Sequence, residues 1–117
     1  MKYLILTAPI LATLLLAACG DGGGDRRVIT IVQSDGSCSP DSIDLKAGEK
    51  VTFEVRNESG DDQEIEGEDG TRLEELLVPS GKTRSIGFTA PGDPGTGTIK
   101  CYRPGGQETF IQLTIEM

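Results

Sequence analysis

Histidine is absent from this 117-residue chain, tryptophan is absent too, and aromatic residues make up only 4% of it. Without imidazole there is no Ser-His-Asp or Cys-His arrangement, no histidine general base, and no histidine-ligated zinc or copper centre. Ser and Cys remain, but no candidate base stands beside them in a recognisable pattern. Arg103, two residues after Cys101, is the one cation placed to activate a thiolate, and a lone Arg is more often a solvated charge. The expectation is a protein that is not an enzyme.

Positive charge is also scarce, with 11 Lys and Arg against 19 Asp and Glu, a formal net of −8. Phosphate recognition needs clustered Lys and Arg, so nucleic acid is not an expected partner. The balance favours cations or basic proteins instead.

Long apolar runs are confined to the first residues. Met1-Lys2-Tyr3 is followed by an apolar stretch from Leu4 to Ala18, broken only by Thr7, Pro9 and Thr13. A basic start, an apolar centre of this length and small residues at the exit describe a secretory leader over residues 1–18. The "LAAC" that ends it resembles the lipobox of bacterial lipoproteins. That resemblance implies a lipid on Cys19, membrane attachment through that lipid, and a place in the cell envelope. Residues 19–26 then serve as the lipidated Cys and a flexible Gly-Asp tether. Residues 27–117 are one small domain, with no internal repeat.

Cysteines number three. With Cys19 assigned to lipid, Cys38 and Cys101 remain as a pair, and an even number outside the cytoplasm is first read as a disulfide. Closing that loop stabilises a thin-cored domain by about 4 kcal/mol through lost chain entropy.

Strand patterns fill the domain. "VITIV" (28–32) is β-branched throughout; "SIDL" (42–45), "VTFEV" (51–55), "SIGFTA" (85–90), "TIKCY" (98–102) and "TFIQLTI" (109–115) alternate apolar and polar residues. Val51, Phe53 and Val55 fall on one face, as do Ile99 and Cys101, and Ile111, Leu113 and Ile115. Gly48 and the Pro-Gly stretches mark turns, and in "NESGDD" (57–62) Asn57 and Gly60 are candidates for positive φ. The helix-compatible "TRLEELL" (71–77) is short and precedes Pro79, so an irregular strand is expected. Short strands at regular spacing predict an all-β, Greek-key β-sandwich.

From Glu58 to Glu75 there are nine carboxylates against Arg72 alone. Their spacing is not that of a calcium loop, and alternation in "QEIEG" sends Glu64 and Glu66 to one face, opposite Ile65. The plain reading is a solvated strand edge that discourages edge-to-edge pairing.

The order of these segments, from "CSPDSIDLKAGEKVTFEVRNES" through "VPSGKTRSIGFTAPGDPGTGTIKCY" to the final strand, resembles a cupredoxin-like domain, and most closely the cupredoxin-like module of EfeO. The resemblance implies a cupredoxin-like topology. The blue copper pattern of the family is not met. Gln63 or a neighbour stands where the first His belongs, Cys101 matches, Gly106 takes the second His position, and no Met follows until Met117. One thiolate without imidazole cannot form the trigonal Cys-His₂ site. The EfeO-type resemblance implies a different metal set, Cys38, Glu64 and Cys101 with Asp62 in reserve, serving copper or iron uptake or transfer with a metal-transport or redox partner. Reduced, the two thiolates and a carboxylate suit Cu(I), Cu(II) or Zn²⁺; oxidised, only carboxylates remain. Two readings stand open: a metal-binding module, and a metal-free structural or interaction domain stapled by a disulfide.

Overall fold

The computed structural model describes residues 26–117. The leader, Cys19 and the tether before Arg26 lie outside the described residues. Nine strands follow in order: β1 Arg27–Ser34, β2 Ser37–Ser39, β3 Ser42–Lys46, β4 Lys50–Asn57, β5 Gln63–Glu68, β6 Leu76–Val78, β7 Thr83–Thr89, β8 Gly95–Tyr102 and β9 Glu108–Glu116. They form a four-stranded sheet, β2-β1-β4-β7, and a five-stranded sheet, β3-β9-β8-β5-β6. β1 runs parallel to β4 and β3 parallel to β9, while the other pairings are antiparallel. The expected all-β sandwich is what forms.

Alternation explains the layers. Val51, Phe53 and Val55 of β4 are buried, as are Ile99 and Cys101 of β8 and Ile111, Leu113 and Ile115 of β9. Each set lies on the inner face because successive side chains of a strand point to opposite sides. Phe53 is fully buried and stacks on Phe88 of β7, ring centroids 5.5 Å apart. Burying one such ring contributes about 2–3 kcal/mol.

Three expectations are adjusted. β2 was not anticipated: Ser37–Ser39 carries no strand propensity, yet Asp35-Gly36 folds it back onto β1 in the register Gln33↔Cys38. Gly36 has φ 76°, a conformation that favours glycine, and Asp-Gly is a strong hairpin signal. Asn57 and Gly60 do not take positive φ; Asn57 instead ends β4, fully inside. Of "TRLEELL" only Leu76 and Leu77 become strand, continued by Val78 as β6, and the segment before it folds across β5, with Leu73 buried and Leu77 exposed.

The acidic β5 is not an edge. It lies between β8 and β6, because the returning β6 pairs with Gln63, Glu64 and Ile65. Glu64 and Glu66 do share a face opposite buried Ile65, as the alternation required.

Candidate functional site

One end of the sandwich interior is polar. Gln33 of β1, Cys38 of β2, Asn57 of β4, Gln63 of β5 and Cys101 of β8 are all buried there, among otherwise aliphatic strands. Each occupies an inward position of its strand, so the same alternation that builds the core delivers them to one place.

Cys38 and Cys101 are joined in a disulfide, Cα atoms 6.3 Å apart and 63 residues apart in sequence. The bond links the four-stranded sheet to the five-stranded one. Beside it, Gln33 makes a second link across the sandwich: its Nε2 donates to the Glu64 carbonyl at 3.1 Å. Gln33 Oε1 is buried and has no partner. Gln63 Nε2 donates to the Ser34 carbonyl at 3.3 Å, so the residue nearest the family's first His position is held by the β1–β2 hairpin. Asn57 is a hub, donating through Nδ2 to the carbonyls of Val78 (2.8 Å) and Asp61 (2.7 Å) and accepting through Oδ1 from Ser59 N–H and Oγ–H. These bonds satisfy the backbone of the 57–62 loop where it leaves the core.

A cleft of about 320 Å³ opens over this end, lined by Asp35, Gln63, Cys101, Arg103, Gln107 and Thr109. Arg103 pairs with Asp61 at 3.2 Å, so the cation lining this cleft is directed to a carboxylate. Gly106, at the second His position, sits in the turn after β8, its N–H donating to the Arg103 carbonyl at 2.8 Å. A Cβ at Gly106 would run into the Arg103 guanidinium. The turn leaves no room for a larger residue without moving that side chain.

The structure does not gather the sequence-derived metal set. Cys38 and Cys101 are bonded to each other. Glu64 is the register partner of Tyr102, while inward Cys101 pairs with Ile65; Glu64 therefore lies on the outer face of the sheet whose inner face holds Cys101. Asp62 Oδ1 accepts from Ser80 N–H at 3.1 Å. Among the described residues, no three Cys, Asp or Glu come together in a way that could hold a metal ion. Copper of the blue type does not fit these residues: both sulfurs are in the disulfide and the chain has no imidazole.

On that outer face the carboxylates are managed by two side chains. Lys100 Nζ bridges Glu66 (2.9 Å) and Glu68 (3.1 Å) and lies over the Tyr102 ring, 4.4 Å from its centroid. The hydrogen bonds to Glu66 and Glu68 raise the lysine's pKa. Tyr102 Oη–H donates to Glu75 at 2.9 Å; burial first, then Glu64 and Glu75, pushes its pKa well up.

Gln33 is the residue sequence reasoning missed. The signal was present, since it follows Ile29 and Ile31 in the same alternation, and a polar residue in an inward register marks a buried polar contact.

Comparison with known proteins places this geometry. Reduced auracyanin from the photosynthetic bacterium Roseiflexus castenholzii superposes with a TM-score of 0.61 at 19% identity, covering 80% of this chain and 100% of that one. Auracyanin A, a "blue" copper protein from Chloroflexus aurantiacus, gives 0.57 at 20% identity, with 76% and 99% covered. The blue copper oxidase of Nitrosomonas europaea gives 0.59 at 15%, covering 79% of this chain and 39% of that one. At these identities the likeness is one of fold. No curated protein matches. The family described as the cupredoxin-like domain matches residues 6–102. That match over most of the chain, on a two-sheet sandwich, makes this chain a member of the cupredoxin-like domain family.

Proposed function

We propose that the chain is an extracytoplasmic, lipid-anchored cupredoxin-like module that uses its fold as a disulfide-stapled scaffold for protein interaction. The carrying observation is the Cys38–Cys101 bond: the position that would supply a copper thiolate is spent on holding the sheets together. Membrane attachment rests on the lipobox-like Cys19, and the envelope location on the leader and the disulfide.

A second reading keeps metal handling, the uptake or transfer of copper or iron in the manner of the EfeO-type module. It is favoured by the unpartnered Gln33 Oε1, register partner of Cys38. After reduction, Cys38 and Cys101 would be thiols beside a free amide oxygen, a donor set suited to a soft cation. Glu64 and Asp62 would join only if β5 rearranged.

Alkylation and intact mass of the full chain, purified without reductant, separates the two. The scaffold reading expects Cys38 and Cys101 to be unreactive until reductant is added, and no tight copper or iron binding before or after. Two free thiols that Cu(I) protects from alkylation would overturn it. Loss of membrane fractionation in Cys19→Ser tests the anchor independently.

A further inference from the structure

We propose that the free edge of β7 receives an extended acidic segment of a partner protein as an added strand of the four-stranded sheet, an inference that rests on the interaction-module reading. β7 pairs on one side only, with β4. In an antiparallel ladder every second residue turns its N–H and C=O toward the neighbour. Asn57 N–H donates to the Lys82 carbonyl at 2.9 Å and Ala90 N–H to the Glu49 carbonyl at 2.8 Å, which sets the phase. Arg84, Ile86 and Phe88 bond to β4, and Thr83, Ser85, Gly87 and Thr89 present their backbone to the open side. Among the described residues, no backbone hydrogen bond outside the ladder reaches those groups.

Natural sheet edges are usually short, bulged, interrupted by proline or charged, and like charge on an edge repels a second copy while leaving an oppositely charged strand free to pair. β7 is seven residues long, carries no proline and keeps continuous register with β4. The edges at β2 and β6 are three residues each and that at β3 is five, so β7 is the longest open edge. Beside β7 runs a groove of about 620 Å³, with Phe88, Ala90 and Pro91 on one wall and Arg72 on the other. A strand added here would send alternate side chains into that groove.

Charge selects the occupant. Arg72, Lys82 and Arg84 are exposed, and none takes part in the ion pairs formed among the described residues. Arg26 joins them, its guanidinium lying over Gly87. In a chain of net −8, the cations at the β7 edge form a cluster without ion pairs among the described residues, whereas Lys46 and Lys50, also unpaired, stand apart from one another in sequence on β3 and β4. An acidic strand gains ion pairs here that a basic one cannot, with apolar residues filling the wall at Phe88.

The test is fluorescence anisotropy of a labelled, blocked peptide alternating glutamate with valine, titrated with the full chain in mild detergent without reductant. Saturable binding is expected, weakened about tenfold or more by Ser85→Pro, which removes an outward N–H, and by the double change Arg72→Glu with Arg84→Glu. Circular dichroism confirms that each variant is folded; the charge-reversal pair carries the test should Ser85→Pro fail to fold. No binding, equal binding of the lysine-valine peptide, or binding untouched by the charge reversal overturns the proposal. Concentration-dependent dimerisation abolished by Ser85→Pro would assign the edge to a second copy of the chain and overturn it as well. None of these outcomes alters the alkylation pattern, so the scaffold reading is judged separately.

Discussion

Cys38 on β2 and Cys101 on β8 belong to different sheets, and the bond between them is the covalent tie across the sandwich. Cys38 enters through a three-residue strand that would gain little from its own packing. The staple therefore holds both the sheets and the β1–β2 hairpin that covers the polar end.

Replacing both cysteines by serine should cost about 4 kcal/mol, the loop-closure value for this separation, less any relaxation of the native state. Urea unfolding of the wild type with and without reductant, beside the double variant, measures it. A loss under about 1 kcal/mol would show that the sandwich closes without the bond.

Asn57→Ala should be among the costliest polar substitutions, roughly 3 kcal/mol, because it removes the side-chain partner of the Val78 carbonyl and of the Ser59 N–H and one of the two donors to the Asp61 carbonyl. Gln33→Met should change stability by less than about 1 kcal/mol, since it removes an unpartnered oxygen along with one donated bond. Paired denaturation curves of the two variants give the contrast, and equal losses would refute it.

Gly67→Ala should destabilise strongly, by roughly 2–4 kcal/mol. Its Cβ would collide with the Thr71 carbonyl, because the 70–73 segment folds across β5 at that glycine; Gly67 N–H donates to the Leu73 carbonyl at 2.9 Å. Gly60→Ala, open on all sides, is the control and should be near neutral in thermal melts.

Glu49 links stability to pH. The Lys46 backbone N–H donates to its carboxylate at 2.9 Å and Arg27 adds two bonds, at 3.0 and 3.1 Å, lowering its pKa. A depressed folded pKa means the contribution is full above the unfolded carboxylate pKa and is lost as pH falls through the folded one. The stability gap between wild type and Glu49→Gln should therefore be present at neutral pH and close in acid. A gap that stays constant down to pH 2 would show that the carboxylate's charge contributes nothing.

The strands that carry the core were legible because their period-two patterns are local. β1, β3, β4, β8 and β9 each contain the run read for them, β7 contains its run except Ala90, and Ile65 with its flanking glutamates followed the same rule. β2 was not legible from propensity, since pairing with β1 and the Asp35-Gly36 turn create it. The candidate site was only half visible. Cysteine count and compartment pointed to the Cys38–Cys101 pair, but the grouping of Glu64 with those cysteines came from family resemblance, and the β5–β8 register puts its side chain on the other face.

By itself, the sequence determined an all-β chain without imidazole chemistry, with alternating strands and one spare pair of cysteines, because composition and period are properties of neighbours along the chain. Tertiary structure alone decided that β5 is interior, that Gln33 lies buried beside the disulfide, and that β7 is the long open edge with Arg72 and Arg84 unpaired. Those facts depend on which strands meet across the sandwich, and long-range pairing leaves no local mark in the residues that make it.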